Sequence, residues 1–534
     1  MNKKSCLLPR LHRKDSHVTR SRQTIFGGLS SCPEASSGEI TEMAGLSPRA
    51  YPAIGTLEPR FSYDVTLTAG TPNGLCYHDT LVMARGEGLY KVSLDGEIVK
   101  LCTVSDTPKT FASFGNKLFV LPDRICVDTA EGTLRSLDIQ TDMLTDAVLG
   151  VNFITHTDTD WGRVGFAVGD AVEINVKDYI LGSTAVFTRR ISDINGATVF
   201  FDTAFERTGT FALSVNSAVP TLTHLCVLGD RLLGTCDNRV YISEAGNPFN
   251  WTFPSGEDSD PLILDTGGSG EITACASCHG SAVFFKEDRI YQLTGHSARD
   301  YMLVDRIALG VSSDSAASLC EVGGDLYYLS AGGVCCFDGD RVSVIGPQLP
   351  VGLTGGVGGS DGACYYLAAW HPDGTARMYA YHCGRSTWMV LDMIAVISMA
   401  TWGDLLFIQT KAGSLLRDKR VGEALPTDQT KITETASVLP SRVVFGEEFG
   451  NYPDGLRLLG IHLHAQGASG SVLRVEVSYD GGPWTLIGSV NGEVKNTAFF
   501  PVRPKRAGAY RLRLTMTGKW RISEIVCDYE KGKQ

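Results

Sequence analysis

Four stretches of the chain place chemistry-bearing side chains at suggestive spacings. Cys275-Ala276-Ser277-Cys278-His279 matches C-x-x-C-H. In that pattern two thiols add to haem vinyl groups and the histidine ligates the iron. The match lies in strand-like sequence that runs straight into a turn, which favours two core or edge thiols and a turn histidine. His462 and His464 stand two apart on one strand, so they share a face, but the sequence nominates no third metal ligand. Asp338-Gly339-Asp340 has calcium-loop character but only two carboxylates, so a loop turn is the better reading. Phosphate-loop, serine-elbow and zinc-helix motifs are absent. The glycine string Gly355-Gly356-Val357-Gly358-Gly359 lacks the strand-to-helix setting of a phosphate cradle. No catalytic, cofactor-binding or metal-binding residue is nominated, and the expectation is a protein that is not an enzyme and carries no cofactor.

The elements that would position such residues follow from composition. The chain has 534 residues, 43% of them hydrophobic and 20% charged, with 59 glycines. Without a G-X-Y period, so many glycines exclude collagen and point to tight turns between short strands. The formal net charge of −11 argues against a sequence-specific DNA binder. No apolar run follows the charged start, which predicts no secretory leader. The 15 cysteines then read as free thiols in a reducing compartment. The most apolar stretch, Trp388 to Ala400, is too short to span a bilayer.

From about residue 60 to 425 a hairpin unit recurs, with turns at Gly115-Asn116, Gly229-Asp230, Gly323-Gly324 and Gly403-Asp404. Weaker copies start at His78, Gly280 and Gly362. All intervals but one fall near the ~40–50 residues of a four-stranded propeller blade. The interval from 115 to 229 is longer by about the 70 residues of 151–220, which lack the hairpin mark. The pattern predicts an all-β chain: a β-propeller of about seven blades with a small β-barrel-like domain inserted between the second and third. A β-solenoid or two stacked sandwiches would satisfy the same periodicity.

After about residue 431 the period stops and strands alternate cleanly. Leu459, Ile461 and Leu463 share one face, as do Leu473, Val475 and Val477, and six short strands suggest a C-terminal β-sandwich. The first 22 residues carry Lys3, Lys4, Arg10, Arg13, Lys14, Arg20 and Arg22 against Asp15 alone, which reads as a disordered or partner-ordered arm. The expected organisation is an arm over 1–48, propeller over 49–150 and 221–430, the insertion over 151–220, and the sandwich over 431–534.

Several segments carry a resemblance. Phe26-Gly27-Gly28-Leu29, Gly38 to Leu46 and Ser47 to Pro52 stand at the start, and Asn238 to Glu244 with Gly246-Asn247-Pro248-Phe249-Asn250-Trp251 in the middle. Val475 to Trp484, Phe500 to Arg506, Tyr510 to Leu514 and Ile522 to Gly532 close the set. Together they resemble a group of tailed-bacteriophage virion proteins described as tail-nozzle, tail tubular or neck-stabilisation components. Ile242 stands where the group's middle hairpin carries tryptophan. The resemblance implies a non-enzymatic structural and assembly protein of a phage neck or tail, located in the virion after assembly in the host cytoplasm. It implies a ring-shaped homo-oligomer, partners on the portal, adaptor or tail side, and no membrane. DNA would pass an acidic lumen without sequence-specific binding. The alternative is a carbohydrate-binding or glycan-cleaving propeller used in host adsorption. Its motive is Ser478-Tyr479-Asp480-Gly481-Gly482-Pro483-Trp484, which is similar to the sialidase Asp-box with the tryptophan one residue early. A hairpin turn with a packed aromatic explains the same residues.

Overall fold

A computed structural model describes residues 18–30, 39–66, 68–177, 184–420, 423–424, 430–435, 440–450, 455–492 and 497–531. The chain forms two compact units. One comprises Pro59–Ser386 and Met393–Thr435; the other comprises the described parts of 1–58, Thr387–Asp392 and 436–534.

The first unit is a seven-bladed β-propeller with an inserted barrel. Blade 1 is the meander Pro72–His78, Thr80–Arg85, Gly88–Val92 and Ile98–Thr103; blade 2 runs from Thr110–Phe114 to Leu134–Ser136. Blades 3, 4 and 5 begin at His224–Leu228, Ala274–Cys278 and Cys320–Val322. Blade 6 supplies Thr354–Ser360, Cys364–Trp370 and Ala376–His382 to this unit, and blade 7 begins with Val396–Trp402. Each first hairpin turns through the left-handed region, at Asp79, Gly115, Gly229, Gly280, Gly323, Gly362 and Gly403 with φ between 56° and 87°, joined by His279 in blade 4 and Gly324 in blade 5. The glycine marks of the sequence are therefore the same turn in successive blades, where only a residue without Cβ adopts the backbone freely.

Hydrophobic cores sit between neighbouring blades. Val82, Ala84 and Leu89 of blade 1 meet Leu118 and Val120 of blade 2. Phe285 and Ile290 of blade 4 meet Leu326 and Tyr328 of blade 5. Blade 7 packs on blade 1 through Leu405 and Phe407 against Leu75, Leu81 and Met83. Two polar side chains staple that same junction. Gln409, 1% exposed, accepts from the Gly74 amide at 3.0 Å and donates to the Ala84 carbonyl at 3.0 Å. Ser398 Oγ accepts from the Leu75 amide at 3.0 Å and donates to the Leu75 carbonyl at 3.2 Å.

Blade 7 also takes a strand from the start of the propeller. Phe61–Tyr63 lies between Leu415–Arg417 and Ile432–Glu434, antiparallel to both. Beside it Arg60 Nε meets Asp418 Oδ1 at 2.7 Å with both side chains largely buried, and the Arg60 amide donates to Thr435 Oγ1 at 3.0 Å. Arg417 and Lys419 each lie 4.8 Å from the centre of the Phe61 ring.

The insertion is a closed barrel, ordered Leu144–Leu149, Phe153–Thr155, Thr198–Phe201, Thr184–Asn195, Ala171–Lys177, Gly209–Ser217. It has its own core around Trp161, Ile174, Val199, Phe201 and Val215. Trp161 opens a single helical turn, capped by Asp160, and its indole donates to the Ala197 carbonyl at 3.0 Å.

The second unit is a β-sandwich. One sheet is ordered Val18–Gln23, Trp520–Lys531, Leu456–Gly467, Thr497–Pro501, and the other Ile40–Ala44, Ser441–Phe445, Ala509–Thr517, Val472–Tyr479, Thr485–Asn491. Leu473, Val475 and Val477 face the core as the alternation requires. Leu458 takes the core place expected of Leu459, because the pairing register shifts between Leu458 and Gly460.

The larger departure is the expected arm over 1–48. Its described part is not free chain: each sheet gains one of its edge strands from it, and Phe26, Ile40 and Met43 enter the core. Residues 1–17 and 31–38 lie outside the described residues. Backbone pairing with strands several hundred residues away, rather than a local apolar period, orders this segment. Gly28 shows the fit: a Cβ there would stand 2.7 Å from both the amide nitrogen and the carbonyl oxygen of Trp388.

Replacing Gln409 with alanine leaves the Gly74 amide and the Ala84 carbonyl buried without partners. It should lower unfolding stability by about 2–4 kcal/mol, read as a drop in the urea midpoint of the propeller transition.

Candidate functional site

The propeller encloses a cavity of about 730 Å³ on its axis, walled by the first strands of all seven blades together with Ala316, Ala317 and Leu319. That volume suits a small ligand. Its chemistry is set by where strand residues stand relative to the turn. Cys76, Cys226 and Cys320 each lie three residues before the left-handed residue of their blade, and Cys275 lies five before Gly280. All four thiols line the wall, and Cys226 and Cys275 meet in the core between blades 3 and 4. Burial pushes the Cys76 thiol up and Cys320 to about 12. Cys275 is pushed well up, first by its hydrogen bond with Cys226 and then by burial. These groups are therefore thiols, not the thiolates that attack substrates or bind metals. Burial likewise pushes His224 down, towards neutral imidazole. Among the described lining residues Glu321 is the sole carboxylate, and Lys109 is tied to Asp123 at 2.5 Å. Glycoside cleavage uses two carboxylates flanking one bond, and this wall offers one.

Small residues let blades 6 and 7 close around the axis. A Cβ on Gly358 would lie 2.2 Å from the Ser318 carbonyl oxygen, and one on Gly359 would lie 2.6 Å from Met399 Cβ. The glycine string is thus the first strand of blade 6, where the backbone runs against its neighbours.

The motifs singled out by spacing disperse in the fold. Cys275 packs with the core shared by blades 3 and 4, whereas Cys278 packs with that shared by blades 4 and 5. They point from opposite faces of one strand, so one haem cannot take both. His279 occupies the turn at φ 47° and lies 3.5 Å from Asp325. His462 Nε2 lies 3.0 Å from Asp528 Oδ2 and its ring stacks on Phe499, an outer-face arrangement in the sandwich. Asp338 Oδ1 accepts from the amides of Asp340 and Arg341, which spends it on its own turn. The Asp-box-like segment is a hairpin brace. Asp480 accepts from the Gly508 and Ala509 amides, Ser478 donates to the Gly482 carbonyl, and Trp484 lies 4.4 Å from Arg513. No group of three or more metal-ligating side chains occurs among the described residues.

A polar cluster that motif-reading missed ties the barrel to blade 3. Glu244, 6% exposed, accepts from Asn247 at 2.8 Å and Asn250 at 3.2 Å, and pairs with Arg190 of the barrel at 3.2 Å. Asn247 also donates to the Gly169 carbonyl at 2.8 Å. Arg135 of blade 2 pairs with Asp170, whose carboxyl burial still holds above the usual carboxylate range. The only sequence signal for this clamp was the Asn-rich hairpin itself.

No family model matches the chain, and no curated protein matches it. Solved structures of similar shape include BamB from Moraxella catarrhalis, 12% identical over 67% of this chain and 85% of that one, with a TM-score of 0.32. A putative 6-phosphogluconolactonase from Bacteroides uniformis is 12% identical over 71% and 99%, with a TM-score of 0.32. The exo-beta-1,3-galactanase of Phanerochaete chrysosporium is 10% identical over 57% and 95%, with a TM-score of 0.23.

Two outcomes follow from close packing at the axis and from thiol burial between the blades. Gly358→Ala should cost roughly 1–3 kcal/mol by overpacking, seen as a lowered melting temperature. Because folded thiols such as Cys126, Cys278 and Cys335 are held up at about 11, their contribution to stability is intact below the ordinary value near 9. It is lost as pH rises from there towards the folded values, so the urea midpoint should fall between about pH 9 and about pH 11.

Proposed function

We propose that the chain is a non-enzymatic structural and assembly protein of a tailed-phage neck or tail, working as a rigid propeller in a ring-shaped homo-oligomer around the DNA path. The observation that carries this reading is the outer rim of the propeller. The fourth strands of blades 1 to 5 expose Val99, Leu134, Ile263, Met302, Val304, Ile307 and Val344 to solvent, Met302 at 65% and Ile307 at 82%. Single exposed apolar residues are ordinary, but a series along the open edges of successive sheets is a surface that gains from a neighbour.

The segments that resemble phage virion proteins support the reading through the places they hold. Gly28 lies against Trp388, the Glu244–Asn247–Asn250 cluster clamps the barrel, Asp480 braces a hairpin, and Tyr510 and Leu514 lie in the sandwich core. Each is a scaffold position, as a protein whose work is shape requires. The excess of 59 acidic over 48 basic residues suits a lumen that repels phosphate, so DNA slides by without being held. The axial cavity is of small-molecule size, so in this reading the DNA path is framed by several subunits.

Purified protein mixed with portal-side partners should form rings by negative-stain microscopy and be recovered in virions. A chain that stays monomeric with those partners and is absent from virions would refute the proposal. A glycan array with clear binding, or hydrolysis of aryl glycosides, would favour the adsorption reading instead.

A further inference from the structure

The edge strand Val18–Gln23 is held by backbone pairing and ion pairs. None of its six side chains is buried. It pairs in register with residues 525–530 alone, from Val18 opposite Glu530 to Gln23 opposite Ile525. Two ion pairs fix that register. Arg20 binds Asp528 with both ends of its fork, Nε to Oδ1 at 2.7 Å and Nη2 to Oδ2 at 3.1 Å, and Arg22 pairs with Glu524. The Arg20 guanidinium, with His462 beside it, holds the Asp528 carboxyl below the usual carboxylate range. After Gln23 come two exposed residues, Thr24 and Ile25, and then the anchor Phe26, which is 2% exposed. Further along the same edge Ile54 and Gly55 pair independently with Ile522 and Arg521. Losing the first strand therefore removes no buried side chain, and uncovers six residues of backbone edge and the small pocket where Ser21 and Gln23 meet Phe445, Tyr510 and Leu512.

We infer that Val18–Gln23 is an exchangeable strand, which in the assembled state leaves its own sheet and pairs with residues 525–530 of a second copy of this chain. The inference rests on the proposed self-assembly. Strand exchange keeps every backbone hydrogen bond and both ion pairs, because a second copy offers the same Asp528 and Glu524 in the same register. Its cost is limited to reordering the exposed link at Thr24 and Ile25. The occupant is specified by charge. A strand with arginines two apart fits an edge with Asp528 and Glu524 opposite, and the chain N-terminal to it adds Lys3, Lys4, Arg10, Arg13 and Lys14.

Ser21 stands directly opposite the native Cys527, which allows a covalent test. Full-length Ser21→Cys chains, half of them nitrogen-15 labelled, are mixed as monomers and allowed to assemble. They are then oxidised with diamide, which takes up the two hydrogens lost as the thiols at positions 21 and 527 form a disulfide. Peptide mass spectrometry should find disulfides between positions 21 and 527 that join labelled to unlabelled chains, with a ladder of covalent oligomers on non-reducing gels. Assemblies in which those disulfides lie solely within single chains would overturn strand exchange and leave the assembly reading standing. Chains that never assemble, even with portal-side partners, would overturn both. Deleting residues 2–23 supplies the second readout: the monomer's melting temperature should be preserved while assembly is lost. Normal assembly of the deleted chain would overturn the inference.

Discussion

Everything in the propeller depends on the junction where blade 7 meets blade 1. A ring of sheets has no terminal sheet to protect it, so an open seam would expose two apolar faces and a row of unpaired amides. The chain closes the seam with three devices at different depths. Near the axis, Ser398 exchanges hydrogen bonds with the Leu75 backbone. Between the sheets, Gln409 bonds to Gly74 and Ala84. At the periphery, Phe61–Tyr63 lies between two strands of the last blade, with Arg60 and Asp418 paired beside it. Other junctions carry polar bonds of this kind too, among them Tyr365 to the Ser318 carbonyl and Thr401 to the Ser360 carbonyl. The seam is polar and buried, where a missing partner costs more than a missing methyl group.

The axis imposes the opposite demand. Seven first strands converge there, and bulk has to shrink. Gly358 and Gly359 meet backbone and side chains at distances that leave no room for a Cβ, and cysteine and alanine recur on the wall. Cysteine suits this place because it packs as a small apolar residue. Burial also raises the Cys76, Cys275 and Cys320 thiols above their ordinary value, which favours the protonated form.

The parts of the fold that were legible in the sequence are those written locally. The left-handed turn of each blade needs glycine at six of seven sites, and those glycines mark the period and expose the barrel as an interruption. What was hidden depends on distant pairing. Val18–Gln23 alternates no apolar residues, because its bonds are backbone and ion pairs to a strand some 500 residues away. Phe61-Ser62-Tyr63 is too short to show any period. Cys275 and Cys278 were legible as core or edge thiols, but the different cores they enter, on opposite faces of one strand, were not. Glu244 carried no signal, since an acidic residue in a hairpin looks solvent-facing unless its partners on the barrel are known.

The seam also sets a schedule. Phe61–Tyr63 leaves the ribosome long before Leu415–Arg417 and Ile432–Glu434 exist to receive it. At ~5–20 residues per second the wait is roughly 20–70 s. During that interval the first blades emerge in order without a closed ring. The propeller can be completed only when synthesis is nearly over, and the sandwich, which joins Ile40–Ala44 to Ser441–Phe445, later still. A nascent chain of this kind offers open sheet edges to its surroundings for most of its manufacture, so its yield in a cell is set by whatever shields those edges until the last hundred residues arrive.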